Sequence, residues 1–85
     1  MQKLWSDLAW EQFQELQTRD RKTLRRLYQL IQSIDRNGYD CIGKPEPLKG
    51  DLSGWWSVRI DEVNHLIFKI DNGIFVINSC MGHYS

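Results

Sequence analysis

The sequence predicts an α+β fold in which two antiparallel N-terminal helices pack on an antiparallel β-sheet. Three observations carry that reading. Apolar residues recur at helical spacing through the first 36 positions, whereas residues 56–70 alternate apolar and polar as strands do, and Asn72-Gly73 is a hairpin turn signal between the last two apolar runs. Helices first and strands afterwards is the order of a layered α+β architecture. With 85 residues, 41% of them hydrophobic, and only two prolines, the chain reads as one domain spanning 1–85. A core this small relies on a few large side chains, and four Trp, three Tyr and three Phe supply them.

The elements follow in order. Lys3-Leu4-Trp5 reads as a short first strand, and Ser6 followed by Asp7 supplies an N-cap and a first-turn carboxylate for a helix through about Gln17. Ala9, Phe13 and Leu16 line one face of it, and Trp5 and Trp10 fall where a hydrophobic staple would fix the entry of the chain. Asp20 caps a second helix. In it Leu24, Leu27, Tyr28, Ile31 and Ile34 recur at helical spacing while Arg21, Lys22, Arg25 and Arg26 face outward, and Asn37-Gly38 stops it. The short Gln17-Thr18-Arg19 connection makes the two helices antiparallel neighbours.

Trp56, Val58 and Ile60 alternate with Ser57 and Arg59, and Leu66, Phe68 and Ile70 alternate with His65, Ile67 and Lys69, around a turn from Asp61 to Asn64. Opposite residues in an antiparallel pair share a face. Burying both apolar sets together therefore places Arg59 and His65 on the other, open face. The run Ile74-Phe75-Val76-Ile77 suits a strand covered on both sides, with its register undecided.

Composition excludes several classes. No stretch of about 18 apolar residues exists to span a membrane, and the polar start lacks the pattern of a signal peptide, so a cytoplasmic location is expected. Cys41 and Cys80 make at most one disulfide, and free thiols are expected there. The eleven basic and eleven acidic residues cancel, which argues against strong phosphate binding by net charge alone. Their distribution is uneven, however: residues 19–49 carry eight basic against four acidic side chains, and both flanking segments are net acidic. Such a stripe serves either as a solvated helix face or as an RNA contact. His65, His83, Cys41, Cys80 and Glu46 match no zinc spacing, and no metal or cofactor is expected.

Glu46 stands between Pro45 and Pro47. A residue before proline is pushed out of the α region, so this carboxylate rides on backbone with little freedom, as a preorganised catalytic base would. The plainer alternative is a stiffened surface loop with a solvated charge. Gly43-Lys44-Pro45-Glu46-Pro47-Leu48-Lys49, then Leu52-Ser53-Gly54, Trp56-Ser57, Arg59-Ile60 and the final His83-Tyr84 resemble the signature of YoeB-type toxins, within the RelE/ParE-like toxin superfamily. The resemblance runs from Leu4 to Tyr84 without an evident gap.

That resemblance implies a compact RelE-like ribonuclease fold and a toxin of a type II toxin–antitoxin module that pairs with a YefM-type antitoxin. It implies entry into the ribosomal A site and cutting of mRNA without a metal, by attack of the RNA 2′-hydroxyl on the adjacent phosphate, which restricts the substrate to RNA. Carried over, Glu46 is the general base, His83 the general acid and Arg59 the cation that holds charge developing on phosphorus. Lys49 and Lys44 add positive charge for substrate binding, and Tyr84 adds a ring for stacking.

One departure stands out. Where the family pattern has a second arginine, in the strand after the turn, this chain has His65, which with an ordinary value near 6.5 is only about a quarter protonated at pH 7. Ser85 also extends the chain beyond the tyrosine on which relatives commonly end. Two functions therefore compete: an active ribosome-dependent endoribonuclease, or a weakened toxin-fold binding module acting through antitoxin and ribosome binding and autorepression. An antitoxin would lay an acidic or amphipathic segment over the basic stripe and active face. Homodimerisation would use the last strand or the helix surface.

Overall fold

The computed structural model describes residues 1–82. Strand β1 (Gln2–Trp5) leads into helix α1 (Asp7–Arg19) and helix α2 (Arg21–Asn37), followed by four strands, β2 (Glu46–Pro47), β3 (Trp56–Arg59), β4 (His65–Asp71) and β5 (Ile74–Ser79). They form one five-stranded sheet in the order β1-β5-β4-β3-β2. The expected α+β layering holds, with one refinement. β1 runs parallel to β5, pairing Leu4 with Val76, so the sheet is mixed and antiparallel only from β5 to β2. A four-residue strand whose partner lies about seventy positions away leaves no local mark of its direction.

Ser6 caps α1 as expected: its Oγ accepts from Ala9 N at 3.0 Å and donates to Asn78 O at 2.6 Å. The same residue thus satisfies a helix terminus and tethers α1 to β5. Trp5 and Trp10 meet edge to face at 6.0 Å between ring centroids, the expected staple. The three-residue link expected between the helices is in fact a single residue. Helix α1 continues to Arg19, and Asp20 both ends it, donating its N–H to Leu16 O, and caps α2 by accepting from Thr23 N. One residue whose backbone N–H closes one helix and whose carboxylate opens the next lets the pair turn without a loop.

The core lies between the helices and one face of the sheet. Leu27, Leu30 and Ile34 of α2 are fully buried against Val58, Leu66, Phe68, Phe75 and Ile77. Each such side chain contributes roughly 1.5–3 kcal/mol by leaving water. Tyr28, expected on this stripe, is instead 45% exposed and stands edge to face against Phe13, while Leu30 takes the inward position. The stripe on α2 keeps Leu27, Ile31 and Ile34 and shifts toward Leu30 and Thr23, because a tyrosine at the edge of the stripe can keep its hydroxyl in water while the wholly apolar leucine gains by burial.

The register of β5 is now fixed. Phe75 and Ile77 point to the helices, and Ile74 and Val76 to the other side, half-buried. Between Phe68, opposite Ile77, and Ile67, opposite Ser79, the pairing slips by one residue, a β-bulge that leaves Asn78 without a partner in β4. Both cysteines are free and buried, and among the described residues no helix is long and apolar enough to cross a membrane.

Candidate active site

The face of the sheet turned away from the helices carries the residues singled out by the sequence. Arg59 pairs directly with His65 across β3 and β4, as the parity argument expects. In the next row Glu46, Ser57 and Ile67 stand side by side on β2, β3 and β4. Glu46 and Arg59 are thus diagonal neighbours on one face, with Cα atoms separated by about 7–8 Å, a span that a phosphate group can bridge. This face is less open than expected at its centre, since Ser57 is 1% and Ile67 4% exposed.

The loop that carries Glu46 is fixed at both ends. At its start Gly43 O accepts from Arg59 N at 2.8 Å, and at its end Leu48 N donates to Trp55 O at 2.9 Å. Leu48 is buried and anchors the strand's exit. Between these points Lys44 takes a left-handed backbone, with φ +54°, and Pro45 and Pro47 restrict the rest. Pro47 is tolerated because β2 is an edge strand, where a missing N–H costs no ladder bond. The predicted stiff mount is therefore also a strand, which the two prolines concealed.

Lys44, Glu46, Lys49 and Arg59 are all exposed. Among the described residues none of these four takes part in an ion pair, so Arg59 is not tied to the nearby Asp61 or Glu62. His65 is half-buried. Asp61 is engaged elsewhere, accepting from Val63 N and Asn64 N at 2.8 and 2.7 Å and from the Asn64 side chain. Burial raises its carboxyl, and the hydrogen bonds from Val63, Asn64 and Thr23 outweigh that and hold it below the ordinary value. His83 and Tyr84 lie outside the described residues. Among those described, no group of three or more His, Cys, Asp or Glu side chains could hold a metal ion.

The part of the basic stripe carried by α2 lies on the helix layer, whereas Lys44 and Lys49 belong to the Glu46 loop. Lys22, Arg25, Arg26 and Gln29 of α2 line a cleft of about 480 Å³ with Asp20, Thr23, Ile60 and Asp61, on the helix side of the β3–β4 turn. Trp55 was not singled out by the sequence, yet Lys69 Nζ lies 4.6 Å from its ring centroid, and the two are side by side on the same face as Glu46. Period-2 counting one residue before β3 would have placed it there.

A family model described as the YoeB-like toxin of bacterial type II toxin–antitoxin systems matches residues 5–84, nearly the whole chain. The chain belongs to the YoeB-like toxin family. The YoeB toxin of Synechocystis is 42% identical over 80 residues, covering 94% of this chain and 93% of that protein. The YoeB toxin of Escherichia coli K12 is 34% identical over 84 residues, covering 99% and 100%. Among solved structures, the YoeB/ParE toxin from Agrobacterium tumefaciens superposes with a TM-score of 0.95 at 29% identity, covering 99% of this chain and 100% of that one. The YoeB–YefM complex from Staphylococcus aureus gives 0.91 at 36% identity, covering 99% and 98%. A mutant of YafQ from Escherichia coli, at 17% identity, shares the fold with a TM-score of 0.82. The chain is accordingly a toxin of a type II toxin–antitoxin system with a YoeB-like fold.

Proposed function

We propose that this toxin is a ribosome-dependent mRNA endoribonuclease that needs no metal. The observation that carries the reading is a carboxylate and a guanidinium, Glu46 and Arg59, that share one sheet face with tied backbones and form no ion pair among the described residues. A surface charge with no catalytic task has no need of a loop held at both ends. In the reaction Glu46 takes the proton of the 2′-hydroxyl as its oxygen bonds to phosphorus, and the bond from phosphorus to the 5′-oxygen breaks. His83 gives that oxygen its proton, and the products are a 2′,3′-cyclic phosphate and a free 5′-hydroxyl. Arg59, permanently charged and forked, faces the phosphate oxygens as their charge grows. Lys44 and Lys49 flank Glu46 and hold the RNA backbone, and Tyr84 stacks on a base.

The partner is a YefM-type antitoxin, as in the Staphylococcus aureus complex, and self-association is supported by the YoeB dimer solved from the same organism. The working site is the ribosome in the cytoplasm. Mapping mRNA 3′ ends in a translating extract tests the reading. Wild type should produce discrete cuts, and Glu46→Gln should lower their rate by on the order of 10²- to 10⁴-fold. A message left intact by wild type ends the proposal.

A second reading, a weakened toxin acting through binding, draws on His65. It is the register partner of Arg59, so whatever charge it carries lies beside the guanidinium on the same face. His65→Arg separates the two readings: a large gain in cutting identifies the natural protein as impaired, and an unchanged rate shows that His65 is either sufficient or irrelevant to cutting.

A further inference from the structure

We infer that Asn64 is the positioning residue of the general acid, because it holds Gly82, the residue immediately before His83. Two hydrogen bonds grip the peptide units of Gly82 from opposite directions. Asn64 Oδ1 accepts from Gly82 N at 2.8 Å, and Gly82 O accepts from His65 N at 3.0 Å. Gly82 itself has the left-handed φ of +75°, so the chain turns there with both its donor and its acceptor already occupied. The point from which the chain passes on to His83 is thereby set by the β3–β4 turn.

Asn64 is in turn held by its surroundings. Its Nδ2 donates to both oxygens of Asp61, at 3.2 and 3.1 Å, which fixes the amide so that Oδ1 is the atom facing Gly82. Asp61 also accepts from Val63 N and Asn64 N. Thr23 Oγ1 donates to Asp20 Oδ2 at 2.6 Å and lies 3.3 Å from Asp61 Oδ2. A chain of polar contacts thus runs from the cap of α2 through the turn to Gly82. The next strand begins at His65, opposite Arg59, so the turn that joins these two residues also holds Gly82. An asparagine whose only task was to close a turn would spend its amide on the turn; here the carbonyl half is spent on the C-terminal segment.

This inference rests on the reading of His83 as the acid that protonates the leaving 5′-oxygen. It predicts a defect confined to that proton transfer, and a 5′-bridging phosphorothiolate removes the need for it, since a thiolate leaves without protonation. Single-turnover cutting is to be measured on programmed ribosomes carrying a message that wild type cleaves, with either oxygen or sulfur at the bridging position. Asn64→Ala should slow the oxygen substrate on the order of 10- to 100-fold, the scale of a misplaced reacting group, and slow the sulfur substrate by less than about threefold. The double variant Asp61→Asn/Asn64→Asp keeps an oxygen for Gly82 N–H and one for the turn amides, reverses the side-chain bond between them and moves the carboxylate from position 61 to 64. It should recover most of the oxygen-substrate rate.

Equal slowing of both substrates, or slowing of neither, overturns the inference while leaving the ribonuclease reading in place. So does a folded double variant that remains as slow as Asn64→Ala. A wild-type protein that cuts neither substrate overturns the ribonuclease reading and this inference with it. Amide exchange gives an answer without activity: the Gly82 N–H should exchange slowly in wild type and in the double variant and quickly in Asn64→Ala. Equal protection in all three overturns the clamp.

Discussion

A β-carbon built on Gly43 would lie 2.7 Å from Leu30 Cδ2, 3.2 Å from Val58 Cβ and 3.4 Å from Arg59 O. The residue's φ of +93° already disfavours any side chain. Both neighbours belong to the core, where Leu30 and Val58 are fully buried, so neither can step aside into solvent. Gly43→Ala should therefore incur backbone strain and overpacking together, about 2–5 kcal/mol, a large fraction of the stability of so small a chain. Urea unfolding followed by tryptophan fluorescence checks this through a lowered midpoint at an unchanged slope. The position also matters for the loop, because Gly43 O accepts from Arg59 N. The glycine lets the Glu46 loop begin on the backbone of the arginine proposed to act with it.

At the scale of elements, two aspartates fasten structure that has almost no loops to spare. The Thr23 hydroxyl, and then its backbone N–H, hold the Asp20 carboxyl below the ordinary value of 3.8. In Asp61 hydrogen bonds from Val63, Asn64 and Thr23 do the same against the opposing effect of burial. Both folded values are depressed, so their stabilising contribution is complete above 3.8 and is lost as the pH falls through the lower folded values. Unfolding midpoints measured between pH 5 and 2 should drop most steeply below about 3.8, and Asp61→Asn should flatten that drop. An equally steep drop in Asp61→Asn would assign the acid sensitivity elsewhere. These contacts also mark what was legible in the sequence. Ser6, Asp20 and Asn37-Gly38 announced the helix ends because capping is local, and the parity of residues 56–70 announced that Arg59 and His65 share a face. The parallel pairing of β1, the bulge at Asn78 and the bond from Gly82 to Asn64 join residues far apart in the chain, and nothing local encodes them. The strand around Glu46 was hidden by its own prolines. The same prolines had pointed to the rigid carboxylate, so the residue was found and its element missed.

For the molecule as a whole, the two thiols offer a readout of how cooperatively helices and sheet hold together. Cys80 is fully buried at the end of β5, its Sγ donating to Ala9 O of α1 at 3.7 Å, and burial pushes its thiol up to about 12. Burial also raises Cys41, with Asp40 adding to it, and this residue is 8% exposed beside the end of α2. The thiolate is the reactive form, so at pH 8 both thiols should resist a disulfide reagent while the chain is folded. In denaturant two thiols should titrate. In Cys41→Ala the remaining thiol lies under α1, and lifting α1 off the sheet to reach it would strip Ala9 and Leu16 from the core and leave Phe75 and Ile77 uncovered. That opening is close to complete unfolding, so the labelling of Cys80 should accelerate about tenfold for every 1.4 kcal/mol by which a second substitution lowers stability. Adding Gly43→Ala supplies such a change at a site on the opposite side of the sheet's centre from α1. A labelling rate that rises in step with the loss measured in urea shows one cooperative unit from the Glu46 loop to the first helix. A rate that stays constant shows that α1 opens independently, and then the stability of the loop and that of the helix layer are separate quantities.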